Sequence, residues 1–126
     1  MMRVPDPAWK RLDKKVRRGF RGYPVGTIAF YGAANEYASK VAVGVIIQRD
    51  AEPAVMKKWF ASDFDVRQDP AIAAEIWEFL RSHGALTVVM TRGIIGCPHE
   101  EGIDYPMGTS CPQCPFWAGR DRWKGV

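Results

Sequence analysis

All three cysteines of this 126-residue chain and one of its two histidines fall within eighteen positions, as Cys97-Pro98-His99 and, after eleven intervening residues, Cys111-Pro112-Gln113-Cys114. Thiolate sulfur and imidazole nitrogen are the donors that zinc takes in tetrahedral sites, and three cysteines with one histidine fill four positions with none left for water or substrate. The pattern therefore predicts a structural Zn2+ held by Cys97, His99, Cys111 and Cys114. Cys97 and His99, two apart around a proline, can face one point in either an extended or a turning backbone, so the spacing suits a two-plus-two site.

The second half of the motif resembles a zinc knuckle, in which backbone N–H groups inside the Cys-x-x-Cys turn point back at the first sulfur and soften its charge. Pro112 has no N–H, so those donors fall to Gln113 and Cys114, and Pro115 stands where a knuckle often has glycine. Other readings fit less well. A bare thiol pair would leave Cys97 as a small buried hydrophobe and His99 as a solvated loop residue. A redox pair usually opens a helix after a strand, which Pro115 and the surrounding turn residues oppose, and an iron–sulfur cluster normally takes four cysteines. His99-Glu100-Glu101 followed by Cys111-x-x-Cys114 is similar to the metal and glutamate elements of the zinc nucleobase deaminases. There, however, the two elements begin separate helices with a strand between them. The nine residues from Glu101 to Cys111 leave no room for that, Ser110 replaces a proline, and Cys97 would close the coordination shell.

Glu100, Glu101 and Asp104 crowd the same stretch. They could accept the free ring N–H of His99 and fix its tautomer, serve as an acid or base, or simply solvate a loop. No catalytic residue follows from them. His83, the other histidine, precedes Gly84 at a predicted helix end, where a protonated ring suits the dipole.

Charge is distributed unevenly. Residues 1–22 carry eight basic against two acidic side chains, residues 23–115 seven against eleven, and residues 116–126 three against one, for a net +4. A basic arm can meet an external polyanion or lie on the protein's own acidic middle. The leading expectation is a small cytoplasmic zinc protein acting as a nucleic-acid-associated module. Lys10, Arg11, Lys14, Lys15, Arg17 and Arg18 would meet phosphates, assisted by Arg120, Arg122 and Trp123 from a tail that interleaves aromatics with cations. The second is a regulatory module that binds an acidic or apolar protein. The third is a zinc-dependent hydrolase or deaminase-like enzyme using Glu100, Glu101 or Asp104. Met1 to Asp6 lacks the apolar stretch of a signal peptide, and the longest apolar run, Val41 to Ile47, is seven residues against the roughly 20 of a membrane helix.

The elements that must position these groups are legible from periodicity. Asp6 and Pro7 predict a cap and first turn for an amphipathic helix to Arg18, with Trp9, Leu12, Val16 and Phe20 as its apolar stripe. Val25 to Tyr31 and Lys40 to Gln48 read as an antiparallel pair of strands, the second apolar enough to be buried on both faces. Pro53 opens a short helical segment through Phe60, and Asp65 to Gln68 is a polar turn. Asp69-Pro70 then begins a helix with Ile72, Ile76, Phe79 and Leu80 inward and Gly84 at its end. Leu86 to Met90 reads as a third strand, reached from the second by a two-helix crossover and parallel to its neighbour.

The expectation is a single α+β domain. It has a basic arm over 1–22, an α/β core over 23–92 with a three-stranded mixed sheet (hairpin plus parallel strand) under covering helices, and an irregular zinc-binding lobe and tail over 93–126. About thirty residues without regular structure would be implausible unless tied down, which a metal does. Phe116 and Trp117, following the last ligand, are expected to pack beside it.

Overall fold

The computed structural model describes residues 7–118. Asp6, Arg120, Arg122 and Trp123 therefore lie outside the described residues. The chain runs α1 (Pro7–Arg17), β1 (Val25–Tyr31), β2 (Lys40–Ile46), β3 (Val55–Phe60), α2 (Pro70–Ser82) and β4 (Thr87–Ile94), with single 3-10 turns at Val66–Gln68 and Pro115–Trp117.

The fold is α+β with a mixed sheet, but the sheet has four strands rather than three, in the order β3-β2-β1-β4. The added strand is Val55–Phe60, where a short helix is expected from the sequence. Val55, Met56, Trp59 and Phe60 are spaced ambiguously between the two periods. Pairing decides it: Val41 faces Trp59 and Val43 faces Lys57 along β2, which sends Trp59 to the core and leaves Met56 and Phe60 more than half exposed. With β3 on its outer edge, β2 is central, and its residues Lys40 to Val45 are all buried.

The crossover is corrected accordingly. One helix, α2, rather than two, joins β3 to β4, and β4 lies parallel to its neighbour, which is β1. Asp69 caps α2 as its sequence predicts, accepting from the N–H groups of Ala71 and Ile72, and Gly84 follows its end at a φ of +67°. The core gathers Ile28 and Phe30 from β1, Val41, Val43 and Val45 from β2 and Val88 from β4 against Leu12, Ile72, Ile76 and Leu80 of the helices. Helix and sheet approach so closely that a Cβ on Gly26 would stand 2.5 Å from a Leu80 methyl.

α1 ends at Arg17, so Phe20 does not extend its apolar stripe. It is 67% exposed and meets Tyr23 edge-on instead. Among the described residues no helix is long and apolar enough to cross a membrane.

Candidate metal centre

The strand pairing of β1 with β4 delivers the first two candidate ligands. Past Ile94 the chain keeps to the path of β1: Ile95 N–H donates to Phe30 O and Gly32 N–H to Gly96 O, both at 2.9 Å. Cys97 therefore follows directly on the carboxyl end of β1. Gly32 is fixed as glycine because a Cβ there would lie 2.0 Å from Tyr37 O. Its own carbonyl accepts from Trp117 Nε1 at 2.8 Å, so the lobe leaves the sheet and returns to it at one residue.

Between those anchors the loop is shaped by its polar groups. Ile103 and Asp104 N–H close a turn on Glu100 O, and Gly102 N–H donates to Tyr105 O. Asp104 Oδ2 accepts from Glu100 N–H at 2.7 Å, and Glu101 Oε2 accepts from Gly108 N–H at 2.6 Å. Glu100 is ion-paired with Lys58 of β3, whose ammonium holds its carboxyl below the usual range. All three carboxylates thus support the loop's own turns and its seam with the sheet. Among the described residues none is seen to receive a hydrogen bond from the His99 ring, so of the alternatives open to them the loop role is the one their contacts match.

The second pair arrives on a tight turn. Cys114 N–H closes on Cys111 O at 3.3 Å, and the N–H groups of Gln113 and Cys114 both donate to the Cys111 sulfur, as the position of Pro112 requires. Pro115, at the exit, starts the 3-10 turn that carries Trp117 back to Gly32. Trp117 packs against the edge of the main core, with Phe116 edge-on beside it at 4.9 Å.

The structure brings Cys97, His99, Cys111 and Cys114 together, one donor atom from each lying within 4.8 Å of the others. His99 Nδ1 stands 3.2 Å from the Cys97 sulfur, 3.4 Å from Cys111 and 3.5 Å from Cys114. A ring nitrogen carries at most one hydrogen, so three such contacts cannot all be hydrogen bonds. Tetrahedral bonds of ordinary zinc–sulfur and zinc–nitrogen length would put nitrogen and sulfur about 3.6 Å apart. The arrangement has the dimensions of donors around a common centre, and the cluster could hold a metal ion.

Electrostatics agree. Burial raises the thiols of Cys97 and Cys114, the latter to about 12. At Cys111 burial also works upward, but hydrogen bonds from the Gln113 N–H, the Cys97 and Cys114 side chains and the Cys114 N–H together outweigh it and hold the thiol below its usual range. Three sulfurs this close cannot all ionise without a cation among them.

Two lysines absent from the expected site face the loop. Lys40, nearly buried at the start of β2, donates from Nζ to Pro98 O at 2.9 Å and lies 3.8 Å from Glu100 Oε1. Lys58 pairs with the same carboxylate. The available signal was a lysine opening a strand that is otherwise apolar.

The basic side chains of α1 divide. Arg11 and Lys15 lie over the Trp77 ring of α2, and Lys15 donates to Ala85 O at 2.7 Å. Lys10, Lys14, Arg17 and Arg18 are exposed. Among the described residues the ion pair made by this helix is internal, Arg17 to Asp13 at 2.8 Å. His83 is exposed, caps α2 and bonds Phe79 O through Nδ1 at 2.8 Å.

No family model, no curated protein and no solved structure matches the chain.

Proposed function

We propose that the cluster holds one zinc ion as a permanent structural clip and that the protein is a binding module rather than a metalloenzyme. The observation that carries this is the convergence of His99 Nδ1 on three sulfurs at 3.2 to 3.5 Å. Thiolate and imidazole in a compact four-donor set suit zinc over the oxygen-seeking cations, and four protein donors leave no position for an activated water. The hydrolase and deaminase-like readings lose their acid or base as well, because Glu100, Glu101 and Asp104 are committed to loop turns and to Lys58.

The module's partner, on this reading, is nucleic acid, met through the exposed Lys10, Lys14 and Arg17 of α1 and Arg18 just past its end. Such binding is dominated by phosphate contacts and counterion release, so it falls steeply with salt. Two measurements test the proposal. Purified protein should contain one zinc per chain, and cobalt substitution should give the intense absorption of a tetrahedral thiolate site; no bound metal, or an octahedral spectrum, overturns the metal assignment. Affinity for a mixed-sequence oligonucleotide should drop steeply between low and moderate salt and fall further in Lys10→Ala/Lys14→Ala. Absent or salt-independent binding overturns the partner assignment and leaves an acidic protein as the other candidate for the same face.

A further inference from the structure

Lys40 is the least expected side chain near the cluster. It is 6% exposed, and its ammonium is enclosed by the rings of Tyr31 at 5.3 Å and Phe60 at 5.8 Å. Its hydrogen bond goes to the carbonyl of Pro98, the residue between Cys97 and His99. An isolated buried ammonium is costly, and a protein keeps one where an opposite charge offsets it. Glu100 offsets this one only in part. The carboxylate lies 3.8 Å away and is shared with Lys58, a closer partner, while Asp104, the other carboxylate acting on Lys40, is engaged by the Glu100 N–H, so neither carboxylate is a dedicated partner of Lys40.

A divalent ion with three thiolates and one neutral imidazole carries a net charge of −1, by the formal charges of its parts. From these placements we infer that Lys40 is the counter-cation of the metal centre, tuning metal affinity through its charge while its hydrogen bond to Pro98 O fixes the turn between the first two ligands. It is a positioning residue, acting through Pro98 O rather than as a ligand. The charged groups that act on it are Glu100, Lys58, Asp104 and Cys97, drawn from β3 and from the ligand loop. Carbonyls and charges that orient metal ligands typically change metal affinity about 10- to 100-fold when removed.

This inference rests on the metal reading above, and its test separates the two. Zinc affinity is measured by competition with a chromophoric chelator for the wild-type protein and for Lys40→Met, Lys40→Gln and Lys40→Arg. Lys40→Met keeps the stem's bulk and removes the charge, Lys40→Gln keeps a donor without charge, and Lys40→Arg keeps the charge in altered geometry. The expected result is one zinc per chain throughout, with affinity about 10- to 100-fold weaker in Lys40→Met and Lys40→Gln and largely retained in Lys40→Arg. Equal affinity for Lys40→Met and wild type overturns the inference, as does loss in Lys40→Arg with retention in Lys40→Gln, which would mean packing alone. Wild-type protein that takes up no zinc overturns the metal reading instead. If Lys40→Met fails to fold in saturating zinc, the comparison of Lys40→Gln with Lys40→Arg decides on the same terms.

Discussion

The helix-covered sheet and the lobe at its end are held by different physics. In the first, Leu12, Ile28, Val41, Val43, Ile76 and Val88 are at most 2% exposed, and the burial of such side chains, each contributing about 1.5 to 3 kcal/mol, is what stabilises the layers. In the lobe the relation is inverted. Ile103 is 77% and Met107 73% exposed, while the cysteines Cys111 and Cys114 are buried. Among the described residues past β4, regular structure amounts to one 3-10 turn and one isolated bridge, Glu101 to Tyr105. A segment without a core of its own must close on a point, so the lobe's order should depend on the four-donor cluster and the core's should not.

Removing the point should give the largest effect. Chelation of the metal, or Cys114→Ser, is expected to abolish amide-exchange protection across 96–118 while protection in β1, β2 and α2 persists. Structural zinc supplies about 10 to 16 kcal/mol of apparent binding energy in small domains, so the loss should be complete rather than graded. Simultaneous melting of sheet and lobe would show that the two regions are one cooperative unit. The mirror experiment is Ile76→Ala, at a fully buried position of α2. It should cost about 2 to 5 kcal/mol in denaturant unfolding and leave metal stoichiometry unchanged.

Asp65 offers a third, smaller contrast, within the core region but polar. It accepts from Ala38 N–H at 3.0 Å and from the Arg67 backbone and guanidinium. Burial would raise its carboxyl, but these donors outweigh burial and hold it below the usual range. A depressed folded value means stability that is fully present above the ordinary aspartate value near about 3.9 and lost as pH falls through the lower folded one. Asp65→Asn should therefore cost about 1 to 3 kcal/mol at neutral pH, and its unfolding midpoint should converge on that of the wild type in acid. The smallest effect belongs to the seam. Trp117→Phe deletes the hydrogen bond to Gly32 O, for about 0.5 to 1.5 kcal/mol, seen as faster amide exchange at Gly32 and Ala118.

The same division governs what could be read from the sequence. α1, β1, β2 and α2 were legible because each has a single period or a cap that local chemistry dictates, Asp69-Pro70 above all. β3 was not, since six residues with paired apolar positions satisfy both periods and only the neighbouring strand decides. Once β3 was missed, the crossover was read as two helices, where a strand and one helix lie between β2 and β4. Phe20 was misassigned because the stripe was extended past the helix's true end. The four candidate ligands were legible from residue types and spacing alone. The lysines that seat their loop were not, as nothing local links Lys40 or Lys58 to Pro98 and Glu100, some forty to sixty positions away.

The most direct test of a lobe closed on one four-donor point is X-ray absorption at the zinc edge of the purified protein. Three sulfurs at about 2.3 Å and one nitrogen at about 2.0 to 2.1 Å are expected, with no oxygen in the first shell. Fewer than three sulfurs, or an added oxygen ligand, would contradict the closed site.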